Sequence, residues 1–324
     1  MKLSLPAALT ACLLLTTPAA AQERGRYRVP QAAREALVAM KASVEHGSAG
    51  GDFTAFLSAA EVESLRRLGF QPQPDAGEQP GGSEDSDPGG GLAAWTSYDV
   101  MRADFLAYAA AHPSIAQYHV MGNSVFGREI FGLRISGNVG VEENEPEVMF
   151  WASIHGDEYA SAEIAYNYAL ELLTNYGVDP VTTGYVDDNE IWIFPLLNPD
   201  GHEIGTRANA NGLDLNRDFG WQWDNWGGSP KPNSQVETQA LVDFLLENNV
   251  TLSVTMHCSG NVFLYPWCYS PNPTPEDNLV QVVGDLYSNL AGYQLINSWA
   301  DYETHGELLD VVYGGHGALC YTAE

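Results

Sequence analysis

Apolar and polar positions along this chain fall into blocks of two different periods. Val148 to Ile154 is apolar apart from Ser153, a run suited to a strand buried on both faces. Ile191 to Leu197 repeats that pattern, and Leu252 to Met256 reads as a strand ending at His257. Tyr118 to Met121 and Ile130 to Ile135 read as two further strands joined through Gly127-Arg128, and Ala318 to Tyr321 is a last short run leading to Glu324. Between these runs the spacing becomes helical. Thr96 or Ser97 caps a helix carrying Met101, Phe105, Leu106 and Ala109 and stopped by Pro113. Ile164, Tyr168 and Leu172 share one face of a helix from about 160 to 176 that Gly177 closes, and 235–247 is amphipathic. Strands alternating with helices predict an α/β fold with a mixed, largely parallel central sheet flanked by helices.

The first quarter of the chain has a different texture. Lys2, the apolar stretch Leu3 to Leu15 and Ala19-Ala20-Ala21 make 1–21 a signal peptide, too short and too early for a membrane span. Residues 22–70 form an N-terminal extension that fits a pro-segment or a plain stalk. Within it Ser58 and Glu61 frame a capping box ahead of Val62, Leu65 and Leu68, with Gly69 at the helix end. Leu37 to Val44 and Phe53 to Leu57 read as two strands around the turn at 46–51. Residues 71–94, rich in Pro, Gly and acid, read as a disordered linker, which leaves 95–324 as the main domain.

Composition narrows the partners. With 42 acidic and 14 basic residues the formal net charge is −28. Such a surface repels nucleic acid and anionic lipid, so neither a nucleic-acid partner nor stable membrane anchoring is expected. Together with the signal peptide this places the protein outside the cytoplasm, secreted or periplasmic. Cys258, Cys268 and Cys320 remain after the leader and allow one disulfide and one free thiol, with no basis for assigning the pair.

Several apolar strands end in a residue with chemical potential: His155, Asn198, His257 and Glu324. In open α/β sheets, ligands gather outside the carboxyl ends of the strands. His155 and Glu158, three apart in HGDE, can turn onto one metal ion, and His257 at another strand end supplies a third ligand. Three such ligands leave zinc an open fourth position, the arrangement of catalytic sites. The loop from 198 to 219 carries Arg207 and Arg217 in a chain poor in arginine, and an arginine fork fits a carboxylate bidentately.

These stretches, taken together and in order, resemble the zinc carboxypeptidase family, the funnelin-type metallopeptidases. The resemblance covers about Tyr98 to Glu324 and rests on HGDE, NPDG, the run from Arg207 to Arg217, MHCSGNVFLYPW, and the segment from Tyr302 to Glu324. It implies that His155, Glu158 and His257 bind one zinc ion and that Asp214 orients His155. It also implies that Glu324 is the catalytic general base, that Arg207 stabilises the oxyanion, and that Asn216, Arg217 and Tyr302 clamp the terminal carboxylate of a peptide or protein substrate. Leu309 aligns with the base of the pocket for the last side chain. Leu309 and the uncharged Cys268 together imply a preference for apolar or aromatic C-terminal residues.

The chain departs from the family pattern in three ways. Asp157 stands where some relatives have Arg, and Val311 where Trp is common. Family domains also continue past the catalytic glutamate into a helix packed on the sheet. The resemblance therefore implies a domain shortened at its C-terminus, with an apolar patch exposed. Two rivals accompany the carboxypeptidase reading: an amidase of the same fold acting on cell-wall peptides, and a metal-free binding protein that kept the fold.

Overall fold

A mixed eight-stranded sheet carries the C-terminal two-thirds of the chain, and a small four-stranded sheet precedes it. The structure, a computed structural model, describes residues 24–40, 42–44, 52–75, 95–225, 227–258 and 260–324. The expected signal peptide, the turn at 46–51 and residues 76–94 of the expected linker lie outside the described residues.

The small unit runs β1 (Arg24–Val29), α1 (Arg34–Ala39), β2 (Ser43–Val44), β3 (Phe53–Ser58), α2 (Ala59–Arg67) and β4 (Gln73–Pro74), with sheet order β2-β3-β1-β4. The capping box forms: Ser58 Oγ accepts from the Glu61 amide, and Glu61 accepts from the Ser58 amide at 2.7 Å. Three expectations change here. The strand read over 37–44 is split: 37–39 end the helix α1, where Ala33 and Leu37 are buried four residues apart at helical spacing, and Ser43–Val44 form the strand β2. The strand β1 was not anticipated: its arginines at 24, 26 and 28 alternate with Gly25, Tyr27 and Val29, a period-two pattern with only two large apolar residues in it. Residues 73–74 of the expected linker pair with β1. The apolar cluster of this unit contains Val29, Ala33, Leu37, Leu57, Val62 and Leu65, and it also includes Tyr302 from the far end of the chain.

The large unit begins with α3 (Tyr98–Ala111), β5 (Ala116–Asn123), β6 (Glu129–Ile135), β7 (Glu147–Ala152), α4 (Tyr159–Asn175), α5 (Pro180–Asp188), β8 (Glu190–Phe194) and α6 (Pro199–Ile204). It continues with α7 (Val236–Glu247), β9 (Val250–Met256), β10 (Val262–Tyr265), α8 (Asp277–Ala291), β11 (Gln294–Asn297), α9 (Ser298–Asp301), α10 (Leu308–Asp310) with a π-turn to His316, and β12 (Leu319–Ala323). The sheet order is β11-β10-β12-β9-β7-β8-β6-β5. The inner strands β12, β9, β7 and β8 are mutually parallel, and β5, β6 and the β10–β11 pair complete a mixed sheet around them. Helices cover both faces. Phe150 meets Tyr168 of α4, while its neighbour Trp151 points to the opposite face and meets Phe244 of α7.

One residue departs from an expected helix face: Tyr168 and Leu172 of α4 pack inward, but Ile164 does not. In α4 the buried residues are Ala162, Ala165, Ala169, Leu172 and Leu173, whereas Ile164 is 54% exposed. Small side chains let this helix lie close to the sheet. On α8, Leu279, Val282, Leu286 and Leu290 are exposed, while Val280, Gly284 and Ser288 turn inward.

Candidate active site

Because the four inner strands are parallel, their carboxyl ends share one edge of the sheet. Register fixes the levels: Ala152 pairs with Met256, and Met256 with Ala323, so the residues that follow these positions emerge side by side. The His257 amide donates to the Ala323 carbonyl at 2.8 Å, and the Glu324 amide donates to Val262 at 3.0 Å, which fixes Glu324 beside His257. Beyond β7 the backbone turns sharply at Ser153, whose φ of 51° is unusual for a residue with a side chain. The hydroxyl of Ser161 holds the Ser153 amide at 3.1 Å.

The loop after β8 supplies the other wall. Asn198 caps α6 by accepting from the Gly201 amide at 2.9 Å and donates to the Arg207 carbonyl at 3.1 Å. The Gly156 amide donates to that same carbonyl at 3.2 Å, so HGDE and NPDG are tied through one oxygen. A Cβ on Gly156 would lie 2.1 Å from the Gly201 carbonyl carbon, so the two loops touch backbone to backbone.

This arrangement brings His155, Glu158 and His257 together, all buried, with one donor atom from each lying within 4.8 Å of the others. His155 Nδ1 stands 2.6 Å from Glu158 Oε1, and His257 Nδ1 stands 3.1 Å from Glu158 Oε2. Two imidazole nitrogens and a carboxylate oxygen form a donor set that zinc accepts, and the residues fit the ion. Asp214 bridges outward: its Oδ1 is 3.3 Å from His155 Nε2 and its Oδ2 accepts from Arg207 Nε at 3.1 Å. Arg207 Nη1 lies 3.6 Å from Glu158 Oε1. Glu324 Oε1 is 3.8 Å from His257 Nδ1.

Charge in this buried cluster is mutually supported. Burial disfavours ionised Glu158, yet His155 and His257 offset it and hold the carboxyl below its usual range. Burial likewise opposes Asp214, and Arg207 and His155 bring it well below the ordinary value. For His155, burial and Arg207 depress the imidazole, but Glu158 and Asp214 prevail and raise it.

Arg217, Asn216 and Tyr302 meet a short distance along the same loop system. Arg217 is fully buried; its Nη2 donates to the Tyr302 hydroxyl at 2.7 Å and its Nη1 to the Asn216 carbonyl at 2.8 Å. Asn216 Oδ1 accepts from the Leu308 amide at 2.9 Å, which ties this group to α10, where Leu309 is buried. Two carboxylates here went unread in the sequence. Glu307 Oε1 sits 2.9 Å from Arg217 Nη1, and Asp310 accepts from the Cys268 amide at 3.0 Å. Both flank Leu309 in G-E-L-L-D, so acidic residues on either side of the expected pocket base were the available signal. The three described cysteines, Cys258, Cys268 and Cys320, are free thiols.

Comparison with known proteins agrees with this geometry. The sequence model of the zinc carboxypeptidase family matches residues 101–324, more than half of the chain. A zinc carboxypeptidase of Saccharothrix mutabilis subsp. capreolus is 27% identical over 305 residues, 82% of this chain and 68% of that protein. Carboxypeptidase D of Anas platyrhynchos is 36% identical over 199 residues, which covers 56% of this chain and only 14% of that longer protein. Among solved structures, carboxypeptidase A from Helicoverpa armigera superposes with a TM-score of 0.74 at 19% identity, covering 94% of this chain and 88% of that one. That last likeness concerns the fold.

Proposed function

This chain belongs to the zinc carboxypeptidase family and is a metal-dependent peptide hydrolase; from that premise we propose that it removes single residues from peptide C-termini, using one zinc ion. The observation that carries the reading is the pairing of two constellations on one sheet edge. The His155–Glu158–His257 donor set lies beside a fully buried arginine, Arg217, whose fork is held by Tyr302. A buried guanidinium is suited to a substrate carboxylate, and a clamp for a free carboxylate makes the enzyme an exopeptidase.

When bound to this trio, zinc supplies Lewis-acid polarisation of the scissile carbonyl and an acidified water. The chain's own groups do the rest. Glu324 takes a proton from the attacking water and passes it to the leaving amine. Arg207, oriented through Asp214 at 3.1 Å, supplies positive charge where the carbonyl oxygen becomes anionic. Asp214 also fixes the ring of His155. Asn216, Arg217 and Tyr302 hold the terminal carboxylate, so that only the last peptide bond reaches the metal.

The N-terminal unit is read here as a pro-segment instead of a stalk, because Tyr302 joins its apolar cluster and is only 2% exposed. We take the signal peptide to direct the protein out of the cytoplasm; no helix among the described residues is long and apolar enough to cross a membrane.

The test is a purified chain assayed for zinc content and for the products of peptide hydrolysis. Release of one residue at a time from peptides with a free C-terminus, and none from their amides, is expected. Cleavage of amidated peptides at an equal rate, or hydrolysis that survives complete zinc removal, would sink the proposal.

A further inference from the structure

β10, α8 and β11 form a strand–helix–strand unit whose two strands are parallel, with Tyr265 paired to Asn297 at their carboxyl ends. Because β10 runs antiparallel to β12, those ends point away from the edge that carries Glu324. Open α/β sheets hold ligands in the crevice beyond the carboxyl ends of their strands, and here that crevice contains a cavity of about 310 Å³. Its walls come from Tyr265, the turn at 271–273, Asp277 at the start of α8, Asn297, and Trp299 of α9. The short helix that presents Trp299 ends at Tyr302, so this cavity and the Arg217 group share one element.

The polar atoms of the wall are mostly of one kind. Asn297 Nδ2 donates to the Pro266 carbonyl at 2.9 Å, and Asn272 Nδ2 donates to Ser270 Oγ at 3.0 Å. Both carboxamide nitrogens are thereby turned to the protein, which leaves both oxygens as acceptors. Asp277 Oδ2 accepts from Gln281 Nε2 at 2.6 Å, and its Oδ1 remains as a third acceptor. A wall of acceptors suits a ligand made of donors. Charge points the same way. Among the described residues Asp277 is the one charged group lining the cavity, and its negative charge, with that of Asp285, reinforces the burial that raises the Tyr265 hydroxyl. An anion, the ordinary guest at a helix N-terminus, is turned away by that carboxylate. The rings of Tyr265 and Trp299 add faces that attract a flat, delocalised cation more than a compact, strongly hydrated one.

We infer that this cavity is a binding site for a guanidinium group, with Asp277 as its counter-ion and Tyr265 and Trp299 as its stacking faces, separate from the His155–Glu158–His257 trio. Binding there needs neither the metal nor peptide hydrolysis.

The experiment titrates the zinc-loaded full chain with n-butylguanidinium and with n-butylurea, its neutral isostere, at about 0.15 M salt to screen the acidic surface. Calorimetry is expected to give one saturable site for the cation and binding about 10-fold weaker for the urea, the scale of a lost hydrogen bond to a charged group. Asp277→Asn should weaken the cation about 10-fold, and Asp277→Glu should keep the preference for it. Trp299→Ala should cost about 2- to 5-fold, the range of one cation–π contact at a half-exposed site. Zinc content should be unchanged in all three variants. Equal binding of the two ligands, or cation binding that survives Asp277→Asn, overturns the inference. So does uptake that never saturates, the mark of counter-ions gathered by a net charge of −28. If Trp299→Ala does not fold, the urea comparison and Asp277→Asn still decide. The blocked peptide acetyl-Gly-Arg-Gly-amide has no terminal carboxylate for Arg217 and separates two sources of the group. Competition with butylguanidinium assigns the site to an arginine side chain of a bound peptide, and exclusion of the peptide assigns it to a free small cation.

Discussion

Replacing Gly156 by alanine should damage metal binding more than it damages the fold, and the reason can be worked out from the contact it makes. The added Cβ would lie 2.1 Å from the Gly201 carbonyl carbon, 2.4 Å from the His202 nitrogen and 2.5 Å from the Gly201 Cα, where real Cβ contacts essentially never fall below 3.0 Å. All three neighbours are backbone, so no flexible side chain can swing away. Nor can α6 yield freely. Gly201 is clasped by the Asn198 cap, and a Cβ there would itself meet Asn198 Nδ2 at 2.4 Å. The strand-end loop and the α6 loop must therefore separate by roughly 1 Å, an overpacking that costs about 1–3 kcal/mol. Alanine recovers roughly 0.4–1 kcal/mol by narrowing the unfolded ensemble, which is too little to reverse the sign.

The displacement falls on the residue between His155 and Glu158. A ligand set functions within about 0.5 Å of its proper geometry, so the ligands lose convergence before the sheet loses stability. The expected result for Gly156→Ala is a thermal midpoint lowered by about 3–10 °C without metal. A zinc affinity reduced about 10- to 100-fold should accompany it. Competition against a chelator of known affinity measures the second, and thermal scans with and without zinc measure the first. An alanine variant with wild-type zinc affinity and midpoint would show that the two loops do not meet as described.

Three further outcomes follow from the same geometry. His257→Ala should lose zinc and peptidase activity together, since two ligands hold the ion poorly; full zinc occupancy in that variant would remove His257 from the ligand set. Arg217→Lys keeps a charge against Glu307 but lacks the planar fork, so it should lose about 10- to 100-fold on free C-termini and little on amidated ones, and equal losses on both would remove Arg217 from the clamp. Asp310 has its folded carboxyl raised from 3.8 to about 8, chiefly by burial. The folded state then holds a proton that the unfolded chain releases, so this stabilising contribution is complete below about pH 4 and declines as pH rises toward about 8, with an upper bound of roughly 6 kcal/mol. Asp310→Asn should flatten the stability profile across that window, and an unchanged slope in pH-dependent denaturation would show that Asp310 is not the group responsible.

The edge that carries the candidate site was legible because strand ends are legible. Apolar runs ending at His155, Asn198, His257 and Glu324 identify both the strands and the residues that leave them. Parallel pairing of β7, β8, β9 and β12 then sets those residues along one edge without further information. Helix faces were harder to read. In α4, bulky Ile164 suggested the buried side, but the face that packs is the one with Ala162, Ala165 and Ala169. Close approach to a sheet selects for small volume, and a pattern search weighted toward large apolar residues misses that. The stretch 37–44 was right only at Ser43–Val44: a short apolar run is ambiguous between strand and helix, and Ala33, whose spacing from Leu37 marks the helix, precedes the stretch.

Glu307 and Asp310 show a deeper limit. In sequence they are two of 42 acidic residues, and the safe reading of any one of them is a solvated surface charge. What turns these two into buried partners of Arg217 and Cys268 is the path of the chain around them. Gly306, at a φ of +71°, brings its backbone against Arg217, and a Cβ there would sit 2.7 Å from the Arg217 carbonyl oxygen. That close approach swings the following residue beneath Arg217, while the turn of α10 carries Asp310 to the amide of Cys268. The tight glycine was visible in the sequence, but the backbone it approaches, 89 positions earlier by subtraction of 217 from 306, was not.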